Sequence, residues 1–154
     1  MGGTRGEQCF LCAAAAGEKQ HSTLVLALLP DALAMLNAFP YSPGHVLISP
    51  RRHLAELTDV SEAEAAQMLR LLRMSVDAET ALMSPAGFNV GLNLGRVAGA
   101  GVADHLHLHL VPRWEGDTNF MPVTADTRVI SQALEDTAAA LKPMLAERLA
   151  GDRA

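Results

Sequence analysis

The run Asp104-His105-Leu106-His107-Leu108-His109-Leu110-Val111-Pro112 constrains this chain more than any other stretch. Polar and apolar residues alternate strictly from His105 to Leu110. Successive side chains of a strand point to opposite faces. The alternation therefore predicts a strand with His105, His107 and His109 on one face and Leu106, Leu108 and Leu110 on the other. The leucine face belongs in a core, and the histidine face then lines a site. Three of the six histidines in the chain fall here at period two, which argues against a solvated face that carries them by chance. Neutral imidazoles bind metal or act as nucleophile and base, and protonated ones attract phosphate.

With 154 residues the chain is long enough for one compact unit with a real core. Hydrophobic content of 49% and charged content of 19% describe a globular protein, not a disordered one. The net charge of -5 argues against a nucleic-acid duplex as the main partner, so an anionic ligand has to be met by local donors. No apolar run reaches membrane-spanning length, and Met1 to Gln8 lacks the layout of a signal peptide. A cytoplasmic enzyme is the expectation. The two cysteines, Cys9 and Cys12, are too close for a useful structural disulfide and read as metal ligands or a redox pair. The redox option needs a thioredoxin-like context that this sequence lacks.

Along the chain, residues 1–8 read as frayed and Ala13–Gly17 as flexible. Thr23–Leu29 and Ala32–Ala38 read as strands joined at the Pro30-Asp31 turn. Phe39–Gly44 is a rigid loop, and His45–Ser49 is a strand stopped by Pro50. Residues 61–83 carry the clearest helix signal. Ser61-Glu62-Ala63-Glu64 is a capping box, and Ala65, Met68, Leu69, Leu72 and Val76 form an apolar stripe. Ser84-Pro85 ends that helix. Phe88–Leu94 alternates as a strand, and the Gly-rich loop Gly95–Ala103 leads into the histidine strand. A last helix runs from about residue 126 to 149, kinked or split at Pro143. The fold class is α+β in one domain: an antiparallel sheet, a long central helix and a C-terminal helical tail.

His105-Leu106-His107-Leu108-His109-Leu110-Val111-Pro112-Arg113 resembles the signature of the histidine triad (HIT) family. Pro43-Gly44-His45-Val46-Leu47-Ile48-Ser49-Pro50 resembles the strand that precedes it in that family. Gly87–Gly95 matches the strand before the triad. Arg113-Trp114, Gly116-Asp117 and Asn119-Phe120 resemble the branch that includes bacterial diadenosine tetraphosphate phosphorylases and hydrolases. The resemblance covers about residues 9–120.

What the resemblance implies is an HIT-like fold, a homodimer, and a nucleotidyl hydrolase or transferase. Its substrate would be a dinucleoside polyphosphate such as diadenosine tetraphosphate, cleaved through a nucleotidyl-histidine. The alternatives are a nucleoside phosphoramidate hydrolase, a non-catalytic nucleotide-binding sensor and a zinc-stabilised interaction module. By resemblance His107 is the nucleophile, and His109 and His45 serve the phosphate oxygens and the leaving group. Asn37, Asn93, Gly99 and Gly101 are assigned to substrate binding. Gly101 stands where many relatives carry Gln or Ser, so a backbone N–H would serve there. Arg51, Arg52, Arg96 and Arg113 are candidate phosphate contacts. Phe10, Leu24, Leu26, Leu36 and Phe39 are candidates for a base slot. In zinc-bearing relatives a Pro-x-x-His position joins the first triad histidine. That implies a structural Zn2+ held by Cys9, Cys12, His53 and His105, a donor set that suits zinc.

Overall fold

In the computed structural model, which describes residues 9–98, 105–117 and 131–152, five strands form one antiparallel sheet. They are β1 (Val25–Leu28), β2 (Ala32–Leu36), β3 (Val46–Pro50), β4 (Gly87–Leu92) and β5 (Leu108–Arg113), in the spatial order β1-β2-β3-β5-β4. Gly99, Gly101 and the expected start of the last helix near residue 126 lie outside the described residues. The helices are α1 (Phe10–Ala15), α2 (Lys19–Ser22), α3 (Glu62–Met83) and α4 (Ser131–Gly151). The α+β expectation holds.

Alternation splits the sheet into two chemically distinct faces. Ala32, Ala34, Leu36, Val46, Ile48 and Leu110 join Leu71 of α3 and Leu141 and Leu145 of α4 in the main core. Each of these buried leucines contributes roughly 1.5–3 kcal/mol. Leu33, Met35 and Leu47 point the other way, onto Cys9, Leu11, Ala14 and Ala15. His109 pairs with Leu47 across the β3–β5 ladder, so it shares that second face. The strand assignment starts only at Leu108, after the first two histidines. Pairing with β3 ends at Ile48–Leu108. The Leu106 N–H instead donates to the Leu54 carbonyl at 2.7 Å.

Three expectations need correction. Ala13–Gly17 is not simply flexible: α1 reaches Ala15, because Leu11, Ala14 and Ala15 bury one face against β2. Helix α4 runs unbroken through Pro143. Leu134, Ala138, Leu141 and Leu145 anchor it on both sides of the proline, and their packing outweighs the roughly 3 kcal/mol cost of an interior proline. Helix α3 is capped as expected, with Glu64 N–H donating to Ser61 Oγ at 3.2 Å and Ser61 N–H to Glu64 Oε2 at 2.8 Å. Its buried face is nevertheless Glu64, Met68, Leu71, Ser75, Ala78 and Glu79. Of the expected stripe Met68 belongs to it, Leu72 and Val76 pack half-buried against the same core, and Leu69 is 58% exposed. The sheet and α4 together select the face, and hydrophobicity alone places it only in part.

The burial of Glu79 has a measurable cost. Its side chain is fully buried, and neither carboxyl oxygen has a partner among the described residues. Burial pushes the carboxyl from 4.5 up to about 9. The folded state therefore keeps a proton that the unfolded chain releases above pH 4.5. This stability is present below pH 4.5 and is lost as pH rises towards 9. Relative to Glu79→Gln, the wild type should lose roughly 4 kcal/mol between pH 5 and pH 8 in urea unfolding. Parallel pH profiles for the two proteins would refute this account.

Candidate functional site

His105 is fully buried at the end of β3, where its Nε2–H donates to the Pro50 carbonyl at 2.9 Å. That bond leaves Nδ1 unprotonated, and Nδ1 lies 3.2 Å from Cys9 Sγ and 3.4 Å from Cys12 Sγ. His53 Nδ1 sits 3.3 Å from Cys12 Sγ. The four donor atoms lie within 4.8 Å of one another, so the described residues hold a cluster that could bind a metal ion. A zinc tetrahedron with these donors has edges of roughly 3.3–3.8 Å, and the measured separations are close to that. Burial, then the adjacent Cys9 thiol, pushes Cys12 up to about 11. Two neighbouring thiolates need a cation between them.

The next histidine hangs from the same backbone. His107 Nδ1–H donates to the His105 carbonyl at 2.8 Å. This fixes the ring and leaves Nε2 as the nitrogen able to attack when the ring is neutral. The ring centroid of His109 lies 4.8 Å away. His109 Nδ1 is 2.9 Å from Nε2 of His45, the buried residue at the entrance to β3. Gly44 makes that entrance possible. Its φ is +79°, and a Cβ there would come within 2.5 Å of Met83 Cε.

Electrostatics favour the uncharged rings of His45 and His109. Burial first, then His109 and His107, lowers His45 to about 4. Burial and His107 lower His109 too, and His105 is lowered chiefly by burial. His45, His105 and His109 therefore meet a ligand as neutral donors or acceptors, not as a cationic patch. His109 Nε2 is buried and has no hydrogen-bond partner among the described residues. Such an atom costs stability unless a ligand satisfies it.

A cleft of about 490 Å³ opens beside His109 and is lined by Tyr41, Ser42, Asn89, Asn93 and Arg113 among others. Asn93 thus stands where a ligand would lie. Arg113 donates to Asp117 at 2.6 Å and to Asn89 Oδ1 at 2.6 Å, which braces the far wall. Arg52 is paired with Glu64 at 2.9 Å, and Arg51 donates to the Ala15 carbonyl at 3.1 Å. Both are tied to the fold on the side of the thiols. The side chain of Arg96 lies outside the described residues. Asn37 contacts His45 and the Phe39 N–H. Leu26 and Leu36 pack in the helix-side core, on the opposite face from the histidines, so they cannot line a base slot there.

Sequence reasoning passed over Tyr41. Its ring packs on His45 with centroids 4.7 Å apart and on His109 at 6.1 Å. Its N–H donates to His45 Nδ1 at 3.2 Å. The available signal was an exposed aromatic set between two prolines just ahead of His45. The Pro50 carbonyl carried no signal at all, since any residue supplies one.

The HIT domain family model matches residues 18–116. The chain is 43% identical over 114 residues to an AP-4-A phosphorylase of Mycobacterium tuberculosis, covering 74% of this chain and 58% of that protein. It thus spans little more than half the length of that relative. It is 32% identical over 105 residues to an adenosine 5'-monophosphoramidase of Schizosaccharomyces pombe, covering 68% of this chain and 74% of that one. A zinc-bound histidine triad family protein from Mycobacterium smegmatis has the same fold, with a TM-score of 0.74 at 26% identity over 96% of this chain and 99% of that one.

Proposed function

The chain belongs to the HIT domain family, and from that premise we propose that it is a nucleotidyl hydrolase or transferase acting on a dinucleoside polyphosphate such as diadenosine tetraphosphate. One observation carries this reading. His107 is locked by the His105 carbonyl with Nε2 left as its attacking atom, beside a buried His109 nitrogen that lacks a partner among the described residues. In the proposed reaction His107 Nε2 attacks the α-phosphorus. A nitrogen–phosphorus bond forms as the bond to the leaving nucleotide's oxygen breaks. The His45–His109 pair meets the phosphoryl oxygens and the leaving group, and Asn93 contributes from the cleft wall. Water or inorganic phosphate then releases the nucleoside monophosphate and restores the free imidazole. Positioned donors supply most of the rate in phosphoryl chemistry.

The M. tuberculosis relative supports the diadenosine tetraphosphate substrate. The S. pombe relative favours a second reading, hydrolysis of a nucleoside phosphoramidate by the same histidine. The described residues are read as a single HIT domain, with α4 as its helical tail. Among them no helix is long and apolar enough to cross a membrane, and a thiol pair serving as metal ligand suits the reducing cytoplasm.

A structural Zn2+ is the proposed occupant of the Cys9, Cys12, His53 and His105 cluster. When bound it would supply a crosslink and no open coordination position. The residues do the rest, since His105 holds both the cluster and the carbonyl that orients His107. A homodimer is the proposed assembly. Edge strand β4 exposes Val90 at 49%, and α3 exposes Leu69 and Leu82, a surface that a second copy would cover.

Incubation with diadenosine tetraphosphate should yield AMP and ATP in water, and ADP and ATP when phosphate is the acceptor. His107→Ala should lower turnover by about three orders of magnitude or more while nucleotide still binds. Retention of more than about a tenth of the activity would assign the attack to another residue. Elemental analysis should find about one zinc per chain. Cys9→Ser or chelation should lower the melting temperature more than it lowers turnover, and a metal-free protein of unchanged stability would remove the zinc. Light scattering should give the mass of two chains, and a monomer at micromolar concentration would remove the dimer.

A further inference from the structure

Gly91 is a glycine that the fold does not require. It sits inside β4 and pairs with His109 of β5. Its φ lies outside the left-handed region, and a Cβ built on it meets no atom within 4 Å. A side chain therefore fits here without strain. A glycine inside a strand costs stability, because it packs against nothing and has more backbone freedom to lose. Such a position often marks the close approach of a ligand or another backbone.

The ladder shows what Gly91 faces. Partners across an antiparallel pair share a face, so Gly91 lies on the histidine face beside His109. Asn89, two residues away, lies on the same face opposite Val111. All four line the cleft of about 490 Å³, and so does Asn93. Gly91 is thus exposed backbone in a cleft that two amide side chains also line. Among the described residues the lining includes His109 but not His107. In the proposed reaction His109 is one of the pair that serves the leaving group. The cleft has the size of sites that hold drug-sized molecules, roughly 300–1,000 Å³. Ammonia is about the size of a water molecule, roughly 30 Å³, and leaves nearly all of it empty. Tyr41 lines the same cleft and is 74% exposed, so it offers a ring face to a base.

We propose that Gly91 is a specificity-determining residue: its bare backbone beside His109 leaves the room in which the departing nucleotide of a dinucleoside polyphosphate lies. The inference rests on the nucleotidyl transfer proposed above, and it separates the two substrates named there. Diadenosine tetraphosphate releases ATP, which needs this room. A nucleoside phosphoramidate releases an amine or ammonia, which does not.

Gly91→Val fills the space, and Gly91→Ala fills part of it. Valine suits a strand, so both full-chain variants should melt no lower than the wild type and keep its mass in light scattering. Diadenosine tetraphosphate and adenosine 5'-phosphoramidate share the transferred AMP group and differ in what leaves. The ratio of kcat/KM for the first to that for the second should fall by about a hundredfold in Gly91→Val and by about threefold or more in Gly91→Ala. With His107→Ala added to stop turnover, Gly91→Val should weaken binding of diadenosine tetraphosphate by at least about tenfold more than binding of AMP. An unchanged ratio in Gly91→Val, or in Gly91→Ala if the valine variant does not fold, would overturn the proposal. Equal losses on both substrates would place the transferred AMP group over Gly91 instead. A changed mass in Gly91→Val would make the position a contact between copies, and would overturn it too. A wild type that turns over neither substrate would remove the proposed reaction. The binding comparison would then decide Gly91 alone, and equal weakening of both ligands, or none, would end its role.

Discussion

His105 carries the histidine face of the sheet. Three bonding groups of one buried residue point at three different structures. Nε2–H holds the carbonyl of Pro50 at the end of β3. Nδ1 faces the two thiols of the N-terminal segment. The backbone carbonyl fixes the ring of His107. A buried histidine with fewer partners would be a liability, since each unsatisfied polar atom costs on the order of 1–3 kcal/mol. Here each partner also orients the next, so the thiol cluster and the His107 ring share one support. That sharing links a short N-terminal helix with little core of its own to the orientation of a ring two residues beyond the cluster.

The opposite face works by different physics. It is almost wholly apolar and is closed by α3 and α4. Arg70 bonds to Asp152 at 3.0 Å and to the Leu149 carbonyl at 2.8 Å, and Arg148 pairs with Asp77, so the C-terminal end of α4 is tied to the middle of α3. Into this face the protein places the acid of Glu79 and the hydroxyl of Ser75, neither with a partner among the described residues. The helix-side core can bear that cost through its apolar burial, while the histidine side spends stability on an orphan His109 nitrogen and closely spaced thiols. An apolar layer behind a polar layer is a common division in enzymes, where sites are held to geometry by the scaffold behind them.

Much of this was legible in the sequence, and the reason differs by residue. Leu108 and Leu110 gave away their face because a period of two has one structural meaning. The start of α3 was legible because a capping box is a local device, complete within Ser61 and Glu64. The cluster of Cys9, Cys12, His53 and His105 was reached through resemblance, and the structure brings those four residues together. The face of α3 was legible only in part: Met68, Leu72 and Val76 do meet the core, but Leu71 and Leu69 are equally apolar and only the positions of the sheet and α4 separate them. The continuity of α4 was not legible, since contacts on both sides of Pro143 override a local preference. Tyr41 escaped for a third reason. Its effect on His45 depends on which nitrogen faces which atom, and no spacing rule encodes that.

The connection between His53 and α3 has a consequence for how this chain can vary. Arg51 N–H is bonded to the Asp31 carbonyl at 2.9 Å. Arg52 reaches forward to the Asp59 carbonyl at 2.7 Å and to Glu64 in the first turn of the helix. The carbonyl of Leu54 is held by Leu106, next to His105. Surface connections usually absorb insertions easily. This one is fastened at both ends and in the middle, so an added residue would displace either a thiol-cluster histidine or the helix start. The segment can change its letters far more freely than its length.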